Sequence, residues 1–156
     1  MSRFYTINIQ GTSFTATADL FNVAATSGMM FKLHQLEINA VSQTAVQELT
    51  VSIKRMTATV SNGTGGSSFT PLPFLSTDAA STITARVSDA TTRATTSGST
   101  SYLFPLAWNV LNGLIWVPAP EYRPSFSISQ NLIIGLETAP SASLTTDAYI
   151  IVEELG

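Results

Sequence analysis

Phe4, Thr6 and Asn8 alternate with Tyr5, Ile7 and Ile9 at the start of the chain, and this two-residue period recurs along most of its length. Alternation carried by β-branched and aromatic residues marks strands with one buried face. Ser13 to Ala18 reads the same way. Asp19-Leu20-Phe21-Asn22-Val23 turns and begins the next extended piece, and Phe31 to Val41 follows with Leu36 and Ile38 on one face. The clearest strand is Glu48 to Val60, where Leu49, Val51 and Ile53 oppose Thr50, Ser52 and Lys54. The same alternation puts Arg55 on the apolar face. A charge at the strand's end, paired or solvated, is the plainer reading there, and an interface arginine the sharper one.

The remaining segments are shorter. Asn62 to Ser68 is a polar, glycine-rich loop, and its Asn62-Gly63-Thr64 sequon reads as a turn. The loop lacks a Gly-Lys-Ser/Thr ending and runs into Pro71-Leu72-Pro73, so it presents no helix N-terminus to a phosphate. Thr70 to Leu75 is extended, because prolines exclude helix. Asp78 to Ser97 favours strand and loop, with Asp78 a possible helix cap. Leu103, Leu106, Val110 and Leu114 fall at helical spacing, but Pro105 and Asn112-Gly113 argue against a helix. Asn-Gly between apolar runs predicts a hairpin, Leu106 to Leu111 against Leu114 to Val117. Pro118 to Pro124 is a stiff extended crossing. Leu132 to Leu136 and Thr146 to Leu155 close the chain as strands. The sum is an all-β, single-domain antiparallel β-sandwich over residues 1–156, jelly-roll-like, with about eight to nine strands. Residues 1–10 are either its first strand or an N-terminal docking arm.

Composition changes this picture in one respect. Charged residues are 11% of the chain while hydrophobic residues are 44%, against about 25% charged in ordinary soluble domains. Ser and Thr take the outward positions instead. Such a surface can lie against a neighbour with little charge to desolvate, which points to a protein that lives inside an assembly. The net charge of −3 and the scattered Lys and Arg give no basic patch for nucleic acid. No run reaches the about 20 apolar residues that span a bilayer. The opening residues carry no signal core or cleavage site, so the expectation is synthesis in a cytoplasm and no membrane partner.

Chemistry is sparse. There is no cysteine and one histidine, His34, which reads as structural or surface-lying. No Gly-x-Ser-x-Gly elbow presents a serine. The carboxylates are dispersed, with neither zinc nor calcium spacing. No catalytic residue, metal or cofactor is expected. Trp108, Trp116, Tyr102 and Tyr122 could stack on sugar rings, or the tryptophans could fill the core.

Several fragments, in order along the chain, resemble a family of small proteins of tailed phages and prophages. They are Ala18-Asp19-Leu20-Phe21, Lys32-Leu33-His34-Gln35-Leu36 and Leu49 to Arg55, then Gly65-Gly66 with Thr70-Pro71. Trp108-Asn109-Val110, Glu121-Tyr122-Arg123-Pro124, Leu132 to Leu136, Ala139 to Thr145 and Val152 to Leu155 complete the series. The chain departs from that family in carrying fewer acids in its middle loops. The resemblance implies a virion structural protein, a head decoration or cement protein bound to the major capsid protein on the outer capsid surface. It transfers no catalytic residues. Fold-level analogy adds a homo-oligomer, a trimer by preference. The candidate assembly contacts are Arg3, Phe4, Tyr5, Ile7, Arg55, Tyr122 and Arg123. A tail, baseplate or head-fibre component and a carbohydrate-binding module are the alternatives.

Overall fold

In a computed structural model that describes residues 2–26 and 28–156, the chain forms fourteen strands and one 3₁₀ turn. The strands are β1 (Arg3–Phe14), β2 (Ala18–Ala24), β3 (Met30–Gln43), β4 (Glu48–Thr57), β5 (Val60–Ser61), β6 (Ser67–Phe69) and β7 (Leu72–Pro73). They continue with β8 (Thr84–Asp89), β9 (Thr95–Thr96), β10 (Thr100–Asn109), β11 (Leu114–Trp116), β12 (Ser125–Phe126), β13 (Gln130–Leu136) and β14 (Leu144–Leu155).

Pairing nests the chain from its ends toward its middle. β1 pairs β14, β2 pairs β13, β3 pairs β11 and β4 pairs β10, all antiparallel. β14 then joins β3, and β13 joins β4. These eight strands, rolled into two facing sheets, are the jelly roll. The first sheet runs β11-β3-β14-β1-β7, with β12 also on β3; the second runs β10-β4-β13-β2-β8-β6. The expected eight to nine strands therefore match the frame. The other six strands are short additions, five of them in an excursion between β4 and β10, residues 58–99. That excursion lays β7 beside β1 and β8 beside β2, covering edges that would otherwise be open to foreign strands.

The core lies between the sheets. Tyr5 and Ile7 of β1, Leu36 and Ile38 of β3, Val51 and Ile53 of β4 and Ile150 and Val152 of β14 are fully buried there. Burial of this much hydrocarbon is the main favourable term in folding. Phe31 and Phe126 stack at 5.1 Å and plug one end. β1 is thus paired along its length with β14, and on its other side with β7 at Tyr5 and Thr6. The N-terminal segment is the first strand of the sandwich, not a free docking arm.

Two local expectations are corrected. The hairpin across Asn112-Gly113 does not form: β10 pairs β4 in the second sheet, and β11 pairs β3 in the first. The turn itself is real, with Asn112 N–H donating to Asn109 O at 3.0 Å. Trp108 is buried and its Nε1 donates to Asn112 O at 2.8 Å, fixing a corner that carries the chain from one sheet to the other. The apolar residues on both sides of the corner pack into one core, so each strand pairs with its own sheet. The proline-rich crossing also contains the 3₁₀ turn Pro120–Tyr122, opened by a proline whose missing N–H costs nothing at that position.

The outer face of the second sheet holds a second layer. Met56, Ala94 and Ile133 form a small apolar cluster there, with Val60 against it. Beside it Lys54, only 3% exposed, lies under the returning excursion. Its Nζ is 2.9 Å from Glu137 Oε1 and 3.9 Å from Asp19 Oδ1. Arg93 spans both acids, with Nε on Asp19 Oδ1 at 2.9 Å and Nη1 on Glu137 Oε2 at 2.7 Å. Asp19 Oδ2 also accepts Ala94 N–H at 2.7 Å. The network rests on Gly135: a Cβ there would meet the Arg93 guanidinium, the Glu137 carboxylate and Lys54 Nζ.

Candidate assembly surface

The outer face of the first sheet is built by the same alternation that fills the core. Tyr5 and Ile7 point in, so Phe4 and Thr6 point out; Ile150 and Val152 point in, so Ile151 and Glu153 point out. Residues directly opposite on paired strands share a face. Ile151 is opposite Thr6 on one side and Gln35 on the other, and Phe4 is opposite Glu153. At the β7 edge, Phe74 donates its N–H to Phe4 O at 3.0 Å, which sets its ring beside this face. The result is a groove of about 420 Å³ lined by Phe4, His34, Gln35, Phe74, Val117, Arg123 and Ile151. Leu72, opposite Thr6, and Ile115, opposite Glu37, are exposed on the same face and lengthen the apolar stripe toward both edges.

Two acids on this face, Glu153 and Glu37, are already hydrogen-bonded, whereas Arg123 in the groove has a buried Nε without a partner among the described residues. His34 Nε2 and Glu153 Oε2 are 2.7 Å apart, and the His34 ring meets Phe4 edge-on at 5.0 Å. Burial acts to raise the Glu153 pKa, but the hydrogen bonds from His34 and Ser2 and the nearby charge of Lys32 outweigh it and hold the carboxyl low. Glu37 accepts from Tyr149 Oη at 2.5 Å and Asn39 Nδ2 at 2.9 Å, and these two bonds lower its pKa. The Tyr149 hydroxyl is raised in return, chiefly by the bond to Glu37. Gln35 Nε2 completes the chain by donating to Tyr149 Oη at 2.8 Å. A neighbour covering this face would meet acids that are already hydrogen-bonded, and an acceptor on it could take the unpartnered Arg123 Nε–H.

The seven residues expected to make assembly contacts divide. Phe4 and Arg123 meet in the groove. Tyr122, next in sequence, is 70% exposed but stands outside its lining. Arg3 begins β1 and lines a separate small hollow with Glu154. Tyr5 and Ile7 are core residues and can touch no partner; the Tyr5 hydroxyl donates to Ala79 O at 2.9 Å. Arg55 lies at the mouth of the core, where its Nη2 donates to Ser125 O at 2.9 Å and its guanidinium stacks 5.2 Å from the Phe126 ring. It sits near a strand end, held by a carbonyl and a ring rather than by an acid, and its Nε is buried without a hydrogen-bond partner among the described residues. Phe74, Val117, His34 and Ile151 were not legible as contacts, because they come from four separate segments. Phe74 alone left a trace, as a phenylalanine in a Ser/Thr-rich stretch.

Sugar stacking on the tryptophans is not what the geometry offers. Trp108 is sealed in the core, and Trp116 is half-buried, tilted against Phe104 at 5.0 Å. Among the described residues there is no group of three His, Cys, Asp or Glu placed to hold a metal ion, and no helix long and apolar enough to cross a membrane.

No protein-family model matches the chain. No curated protein matches it either. A solved structure of the infectious bursal disease virus Gx strain aligns with 98% of this chain at 14% identity and a TM-score of 0.16, a likeness that carries no argument. The chain spans 42% of the length of that one.

Proposed function

We propose that this chain is a structural protein of a tailed-phage virion, a decoration or cement protein on the outside of the head. The outer face of the first sheet seats on the major capsid protein and bridges neighbouring shell subunits. The observation that carries this reading is the apolar groove around Phe4, Phe74 and Ile151, set in a face whose acids are already hydrogen-bonded. Contact cores are depleted in charge and rich in aromatics, as the lining of this groove is, with two phenylalanines and one arginine. The ordered series of fragments that resemble phage virion proteins agrees with it, and so does the low charge of the whole chain. Each contact can be weak, since repetition around a closed shell raises the effective concentration of every linked site. Self-association, as a trimer by analogy with other jelly rolls, belongs to the same proposal.

Gradient sedimentation of phage heads with added protein tests it. Wild-type protein is expected to travel with the heads, and Phe4→Glu with Phe74→Glu to stay at the top, while Tyr102→Ser on the other sheet still travels. Protein that travels only with tails would favour a tail or baseplate component and overturn the head assignment.

A further inference from the structure

A concavity lies away from the assembly face, on the outer side of the second sheet. It measures about 460 Å³, and its floor holds Asn22 of β2, Asn131 of β13 and Asn62 of the excursion. These three residues come from distant parts of the chain and form one line of amides. Asn131 Nδ2 donates to Asn22 Oδ1 at 2.8 Å, and Asn22 Nδ2 donates to Asn62 Oδ1 at 3.0 Å. Asn22 is 4% exposed, so the middle of the line is fixed. An amide offers two donors and one oxygen. The line therefore presents a donor, Asn62 Nδ2, at one end and an acceptor, Asn131 Oδ1, at the other. Asn62 is itself exposed.

The one charged residue of the lining is Arg86, and it is already engaged. Its Nε and Nη2 hold Asp89 Oδ2 and Oδ1 at 3.1 and 2.7 Å. No acid lines the pocket, and Phe69 and Pro71 give it an apolar wall. A site whose one cation is tied to Asp89, with a donor, an acceptor and an apolar wall, offers no free charge to an ion. It fits a ligand whose adjacent hydroxyls both give and accept hydrogen bonds and whose C–H face is apolar. We propose that this pocket binds a neutral saccharide, held by Asn62 and Asn131 through its hydroxyls. The site uses neither tryptophan, and it does not depend on the capsid assignment. In a particle seated by its first sheet, it faces away from the shell.

Saturation-transfer NMR on the whole protein with glucose, galactose, mannose, N-acetylglucosamine and maltose tests this. At least one of these sugars is expected to receive magnetisation from the protein. Asn62→Ala and Asn131→Ala should each weaken its titration by about tenfold, the effect of losing one or two hydrogen bonds. Tyr102→Ser should leave the titration unchanged, and inorganic phosphate should not compete. Melting curves accompany each variant. Because Asn62 is exposed, its variant remains informative even where Asn131→Ala unfolds. No transfer to any of the five sugars, equal titrations in wild type and both variants, or competition by phosphate would each overturn the proposal.

Discussion

Lys54 Nζ lies 2.9 Å from Glu137 Oε1 on the outer face of a sheet, yet the lysine side chain is almost as buried as the core behind it. Arg93 closes over both, bringing the excursion down onto β4 and β13. Removing one partner of such a set leaves an uncompensated charge out of water, which costs more than the pair contributes.

The first prediction concerns acid. Burial acts to raise the Glu137 pKa, but hydrogen bonds from Arg93, Ser52 and Lys54 overcome it and bring the value from 4.5 down to about 2. A carboxyl depressed on folding contributes stability that is complete above pH about 4.5 and is lost as pH falls toward 2. A shift of that size corresponds to about 3 kcal/mol. Urea unfolding of the wild type should show stability declining through this window. In Glu137→Gln the decline should be shallower and stability at pH 7 lower. A wild-type curve flat between pH 5 and 2.5 would contradict the account.

Gly135→Ala tests the seat of the same network. The added methyl meets the Arg93 guanidinium, the Glu137 carboxylate and Lys54 Nζ, so these charged ends must move off one another. The expected loss is about 3 kcal/mol, a fall of about 10 °C in melting temperature for a chain this size. A melting temperature within 2 °C of wild type, on the order of a surface substitution, would place the network elsewhere.

Ala58 has φ of +64° in the turn between β4 and β5. A Cβ in the left-handed region costs roughly 1–2 kcal/mol. Ala58→Gly removes that cost at the price of a more flexible unfolded chain. Calorimetry should show a net gain of about 1 kcal/mol and a melting temperature about 3 °C higher.

Much of the frame was written in the local pattern. The alternation in Phe4 to Ile9, in Leu49 to Ile53 and in the C-terminal strand is a property of each strand alone, and all three stretches are strands, though the one read as Glu48 to Val60 ends at Thr57. Pairing is not local. Asn112-Gly113 makes the same tight turn in a hairpin and at a corner between sheets, and only the positions of β3 and β4 decide between them. Lys54 read only as outward, because its cover, Arg93 and Ala94, arrives from about forty residues further on. The assembly face was half legible for a like reason. Phe4 and Arg123 stood out as an aromatic and a charge near extended segments, whereas Ile151 and Val117 join the groove only once β14 and β11 both lie beside β3. The line of asparagines left no trace in any single segment.

The apolar face makes a prediction in solution as well. Analytical ultracentrifugation of purified protein should show self-association that Phe4→Glu with Ile151→Lys alters, with helix-free, β-rich circular dichroism retained in the variant. The substitutions lie on the outward side of β1 and β14, so the core that holds the strands is untouched. A strictly monomeric wild type at high concentration would remove the oligomer from the proposal.

The most direct measurement is the position of this chain in an intact particle, read from an electron cryo-microscopy map. The account predicts density for the jelly roll repeated over the head lattice, with Phe4, Phe74 and Ile151 turned toward the major capsid protein and Asn62 turned to solvent. Density confined to the tail or to a single vertex, or a subunit seated on the shell by its second sheet, would contradict it.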